Sequence, residues 1–115
     1  MLQDELEKIV RGEVLDDMET LRRYSRDASL FEVRPEVVVF PKDVEDVKSL
    51  VRFVGEEKKK GRKISITARA GGTDMSGGPL TESIVLDFLK YFQGVKNVDA
   101  SKQEATVLSG TYYRD

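Results

Sequence analysis

The 115-residue sequence contains no histidine, no cysteine and no tryptophan, and only three prolines. Without cysteine it can form no disulfide and can offer no thiolate as nucleophile or metal ligand. Without histidine it lacks the side chain most often used as a general base and the commonest metal ligand. Long apolar runs are missing as well, and nothing approaches the ~18 residues that a membrane-spanning helix requires. Neither charge sign is in excess: nineteen basic residues against twenty-one acidic ones leave a formal charge of −2. The basic surface that marks a nucleic-acid partner is therefore not expected. The opening MLQDELEKIV is too charged for a signal peptide, so a cytoplasmic, non-secreted protein is expected.

Two of the prolines, Pro35 and Pro41, bracket Glu36-Val37-Val38-Val39-Phe40, an apolar, β-branched run. A run with no polar alternation reads as a strand covered on both faces, as in a parallel sheet. Asp43 is placed to cap a following helix, with Asp46 in its first turn suiting the positive end of the dipole. Val44, Val47, Val51 and Val54 supply its apolar stripe, widened by Leu50 and Phe53, and Gly61 stops it. The basic run Lys58 to Lys63 is a solvated helix end rather than an anion site. Ile64-Ser65-Ile66-Thr67 is the next strand, which makes a βαβ unit of the right-handed kind.

Upstream, Leu2, Leu6, Ile9 and Val10 recur at helical spacing before Gly12, and a second short helix is expected from Asp17 to Tyr24. The stretch YSRDASLFEVRP has no period and reads as an ordered loop, with Arg26 and Asp27 as an ion pair. Downstream, Ile84 to Asp87 is a third strand, followed by a short apolar turn from Phe88 to Phe92. Gly94 to Val98 and Ala105 to Leu108 read as a hairpin around Asp99-Ala100-Ser101-Lys102. The class is α+β (α/β), a small βαβ-containing sheet with flanking helices. Residues 1–34 form an N-terminal helical segment and residues 35–115 the main unit.

Four of the nine glycines fall in one stretch, Ala68 to Pro79, as the pairs Gly71-Gly72 and Gly77-Gly78. Clustered glycines are tolerated where backbone approaches something closely or takes positive φ. With Arg69 before them and Thr73, Asp74 and Ser76 between, the amides form a concavity suited to a phosphate. A long turn between two strands is the alternative. Position favours the binding loop, because ligands of such sheets sit beyond the carboxyl ends of the strands, where this loop emerges. A Walker loop is excluded, since no Gly-Lys pair occurs, and a dinucleotide fingerprint is a poor match because Pro79 and a strand follow, not a helix.

The segment Arg69-Ala70-Gly71-Gly72-Thr73-Asp74-Met75-Ser76-Gly77 resembles the R-G-G-G-T-x-x-S/A-G loop of the vanillyl-alcohol-oxidase-like flavoproteins. These share the FAD-binding domain of p-cresol methylhydroxylase. Three further segments resemble the family in the same order along the chain. They are Tyr24-Ser25-Arg26-Asp27-Ala28-Ser29, Pro35 to Pro41 with the helix after it, and Gly110-Thr111-Tyr112-Tyr113-Arg114-Asp115. The branch most like this chain holds the glycolate oxidase D-subunit and D-lactate dehydrogenases.

The resemblance implies that the amides of Ala70, Gly71, Gly72, Thr73 and Asp74 cradle the FAD diphosphate. Ser76 would add its hydroxyl and Gly77 its amide, with Pro41 flanking the cofactor. Arg69 would either reach the phosphates or pin the loop. Ala70 stands where the family has glycine, which requires that its φ stay negative. Asp74 would repel a diphosphate at close range, so its side chain is expected to point away, capping the loop or pairing with an arginine. Some branches tether flavin through a histidine at the place of Thr73. This chain has none, so FAD would be held non-covalently. A valine at Gly72 is expected to block the cofactor while leaving the empty fold little changed.

By resemblance, the activity is FAD-dependent oxidation of a small 2-hydroxy acid such as glycolate or D-lactate. Sugar oxidases, ether-lipid synthases and cell-wall reductases share the same front half. The second FAD-binding subdomain and the substrate cap of the family are not in this sequence, so it is expected to be a first subdomain, inactive alone and prone to self-association through an uncovered edge. The other reading is a stand-alone phosphate- or nucleotide-binding or assembly module. No catalytic residue and no metal ligand is assigned.

Overall fold

Two wholly buried strands form the centre of the sheet, and each comes from an unbroken apolar run. The computed structural model describes residues 1–114; Asp115, the last residue of the Gly110–Asp115 motif, lies outside the described residues. In chain order the elements are α1 (Leu2–Glu7), β1 (Glu13–Leu15), α2 (Met18–Arg23), β2 (Val37–Phe40), α3 (Val44–Lys59), β3 (Ile66–Arg69), β4 (Ile84–Asp87), β5 (Val95–Asp99) and β6 (Glu104–Val107). The first four strands make one sheet in the order β1-β2-β4-β3, and β5 with β6 makes a separate hairpin. The mixed α+β class read from the sequence is the class observed.

The βαβ unit has a feature that the sequence reading did not anticipate: β4 lies between β2 and β3, parallel to both. Burial explains the order. Every residue of β2 and β4 is buried, whereas β3 carries Thr67 and Arg69 and is only partly covered. The two most apolar strands take the positions covered on both sides, and the more polar strand takes an edge. The other edge is β1, antiparallel to β2 and unassigned in the sequence reading because three residues carry too little pattern. Strand β3 also begins at Ile66 rather than Ile64, although Ile64 is buried just before it.

Side chains alternate across the sheet, so the two faces draw on different residues of the same run. Val37 and Val39 pack with Ile84 and Leu86 against Leu6, Val14 and Leu50 on one face. Val38, Phe40 and Val85 pack against Leu21 of α2 on the other. Each such side chain is worth about 1.5–3 kcal/mol when fully buried.

Helix α3 begins as expected, with the Asp43 side chain accepting from the Asp46 amide. Its buried stripe is rotated from the expected one. Val44 and Val51 are 57% and 56% exposed, while Asp46, Leu50 and Val54 face the core. A carboxylate sits on that stripe because it has three backbone donors. Asp46 accepts the amides of Arg11, Gly12 and Lys42, each at 2.8 Å, and so ties the start of α3 to the turn after α1. No helix among the described residues is long and apolar enough to cross a membrane.

Candidate functional site

Because β2, β3 and β4 are parallel, their carboxyl ends share one edge of the sheet. Pro41, Ala70 and Phe88 follow these strands, so the structure brings Pro41 and the glycine-rich loop to the same edge. Pro41 is fully buried there and presents no open surface. The loop turns twice through left-handed backbone, at Gly72 (φ +66°) and Gly77 (φ +79°), which is why glycine occupies both. Ala70 is not among the positive-φ residues, so the alanine in place of a family glycine carries no backbone strain.

The backbone amides of this loop divide into two groups. Among the described residues, none of the amides from Ala70 to Ser76 donates to a protein acceptor. Past that run, the Gly77 amide donates to Asp27 Oδ2 at 2.9 Å and the Gly78 amide to Ser76 Oγ at 3.3 Å. The donation to a phosphate expected of Gly77 is thus already taken up within the protein. Ser76 Oγ acts here as acceptor, which leaves its own hydroxyl hydrogen to give.

Arg69, for which two roles were open, is engaged as a pin. Its guanidinium donates to the carbonyls of Tyr24 and Arg26, at 3.4 and 3.1 Å, and lies over the Tyr24 ring at 4.9 Å. Its Nε is buried without a partner. A Cβ at Gly72 would stand 1.8 Å from an Arg69 terminal nitrogen, so the close approach of loop and arginine needs glycine at that position.

The segment from Tyr24 to Phe31 forms a strap under the loop. The expected ion pair of Arg26 with Asp27 is not formed: Arg26 pairs with Glu32 at 2.7 Å. Asp27 instead accepts from the Ser29 amide and hydroxyl and from Gly77. The Ser29 hydroxyl bond, with help from these amides, holds the Asp27 carboxyl below its usual range. The Ala28 amide donates to the Asp74 carbonyl at 2.8 Å. The Asp74 carboxylate is exposed, as expected, yet makes no ion pair among the described residues.

Under the loop, Tyr24 donates its hydroxyl to Asp87, whose side chain is 1% exposed at the end of β4. Burial, and then the bond to Asp87, raise the Tyr24 phenol above the ordinary tyrosine value. Open clefts of about 330 and 450 Å³ flank the loop. One is lined by Arg23, Tyr24, Gly71 and Asp87, the other by Ala68, Asp74, Phe88 and Ser109. The sequence assigned Asp27 only to an ion pair with Arg26 and gave no role at the loop to Tyr24 or Asp87. The Y-S-x-D-x-S stretch carried a signal for the first two, and a carboxylate closing an apolar strand was the signal for the third.

This arrangement is suited to binding an anion through backbone. A consecutive run of free amides on a glycine loop, at the carboxyl edge of a parallel sheet, presents partial positive charge without a cationic side chain.

A family model described as FAD binding domain matches residues 35–115. D-2-hydroxyglutarate dehydrogenase of Pseudomonas putida is 29% identical over 101 residues, covering 88% of this chain and 10% of that protein. The enzyme of the same name from Stutzerimonas stutzeri is 31% identical over 91 residues, covering 76% of this chain and 18% of that protein. The chain thus spans less than a fifth of the length of these curated relatives. The crystal structure of p-cresol methylhydroxylase with substrate bound matches with a TM-score of 0.76 at 21% identity, over 96% of this chain and 22% of that one. The two share a fold.

Proposed function

Because the chain belongs to the FAD-binding-domain family, we propose that its glycine loop cradles the diphosphate of FAD. The observation that carries this reading is the run of amides from Ala70 to Ser76 with no protein acceptor. A dianionic diphosphate fits such a run, because each oxygen can accept from backbone that is otherwise unpaired. Ala70, Gly71, Gly72, Thr73 and Asp74 supply the amides and Ser76 its hydroxyl. Arg69 holds the loop in place, Gly77 sets its far bend, and Pro41 backs the same edge from within the core. With no histidine or cysteine in the chain, these residues hold FAD non-covalently.

When bound, FAD would supply the redox chemistry as a hydride acceptor. The residues of this chain bind and orient it, and none of them is assigned as the base that takes the substrate proton. Residues 35–115 act as a first FAD-binding subdomain, and residues 1–34 complete its sheet. The whole protein oxidises a small 2-hydroxy acid. The names of its relatives favour D-2-hydroxyglutarate, and the branch resemblance adds glycolate and D-lactate as candidates. A cytoplasmic location suits a chain without cysteine. The exposed β5–β6 hairpin supports self-association of this chain when alone. FAD titration, followed by flavin fluorescence, tests the central claim.

A further inference from the structure

We infer that Asp27 is the positioning residue of the glycine loop: it acts as a fixed internal anion at the Gly77 bend and leaves the amides before it for the ligand. Its consequence for the cofactor rests on the proposed FAD site, whereas its effect on the loop does not.

The geometry is two-sided. One carboxylate oxygen of Asp27 accepts the Gly77 amide at 2.9 Å, and the other accepts the Ser29 amide at 2.8 Å together with the Ser29 hydroxyl. Ser29 Oγ in turn accepts the Phe31 amide at 3.1 Å, which fixes the strap around the carboxylate. The Phe31 ring reaches within 3.0 Å of where a Cβ at Gly77 would lie, so side chain and bend close together. The strap also touches the loop through Arg69 to the Arg26 carbonyl and through Ala28 to the Asp74 carbonyl. Three of its residues, Arg26, Ala28 and Asp27, therefore hold the loop at its start, middle and end.

A segment with six consecutive exposed or half-exposed residues from Gly71 to Ser76 has little packing to order it. The hydrogen bonds to the strap do that ordering before any ligand arrives, which lowers the entropy lost on binding. Only a carboxylate can serve both sides. An amide offers one acceptor oxygen, and its NH2 group would face a backbone N–H on the other side.

The near-isosteric Asp27→Asn variant of this chain is therefore the test, read by NMR. Exchange of the Gly77 amide should quicken by about tenfold or more, the worth of a bond to a charged acceptor. Order parameters from Gly71 to Ser76 should fall while those of Val38 and Val85 stay unchanged. FAD affinity should weaken about tenfold in parallel. Wild-type protection at Gly77 and wild-type loop order in the Asn variant would overturn the inference, as would a loosened loop with unchanged FAD affinity. FAD affinity is read on the product of the complete reading frame: if neither form of it binds FAD, the FAD reading fails, and the Gly77 and loop data still decide the role of Asp27. Should the Asn variant not fold, Ser29→Ala reads the same loss at smaller amplitude, and an unchanged loop there would count against Asp27.

Discussion

Tyr24 donates its phenol to the buried carboxylate of Asp87, sixty-three residues further along the chain. The bond joins the residue after α2 to the last residue of β4. Asp87 spends its other oxygen on the Leu89 amide at 2.6 Å, so it turns the chain out of the sheet as well. The Tyr24 ring meanwhile lies under the Arg69 guanidinium. One side chain thus connects the sheet, the strap and the start of the glycine loop. Tyr24→Phe keeps the ring and removes the donor, leaving a buried acceptor short of a partner. A loss of about 1–3 kcal/mol is expected in urea unfolding.

The same pair sets a pH dependence. Burial first, and the Asp87 bond second, hold the proton on Tyr24 more tightly in the folded state than in the unfolded chain. The contribution is complete below the ordinary tyrosine value of about 10 and is lost as pH rises above it. Stability measured across this alkaline range should fall more steeply in the wild type than in Tyr24→Phe. Parallel slopes would exclude Tyr24 as the source.

Asp46 gives a prediction at the other end of the molecule. Its carboxylate takes three backbone amides at 2.8 Å on the buried side of α3. Asp46→Ala strands all three, at a cost on the order of 3 kcal/mol. The lowered midpoint should appear in thermal unfolding, with far-ultraviolet dichroism at low temperature unchanged.

These residues also mark how far the sequence could be read. The central strands were legible because Val37 to Phe40 and Ile84 to Leu86 are unbroken apolar runs, and the Asp43 cap and the hairpin were legible from local chemistry. The position of β4 between β2 and β3 was not, since pairing order depends on comparing burial across the whole sheet. The rotation of the α3 stripe was hidden for a related reason. Val47, Leu50, Phe53 and Val54 of the expected stripe do pack on the core, but the tertiary acceptor Asp46 joins them there while Val44 and Val51 turn outward. At the site, the loop itself was plain from its glycines. Its support was not, because Asp27 had a charged neighbour, Arg26, that offered a simpler local pairing than the amide of a glycine fifty residues away.

The β5–β6 hairpin is exposed along nearly its whole length, with Val98 at 67%. A two-stranded ribbon with apolar side chains in water is marginal by itself and invites pairing at its edges. Concentration-dependent self-association is expected by light scattering, and Val98→Lys should reduce it. A monomer at high concentration would contradict the proposal.

The central claim is that the free amides around Gly72 hold the FAD diphosphate, and Gly72→Ala addresses it most directly. Gly72 has φ +66°, and a Cβ there meets Arg69, so the expectation that a valine at Gly72 leaves the empty fold little changed is revised. The left-handed backbone costs an alanine about 1–2 kcal/mol. The measurement is an FAD titration of both forms, followed by flavin fluorescence on the product of the complete reading frame. The account predicts bound FAD in the wild type and affinity weakened by about tenfold or more in the folded variant. Equal FAD retention by a folded Gly72→Ala protein would contradict it.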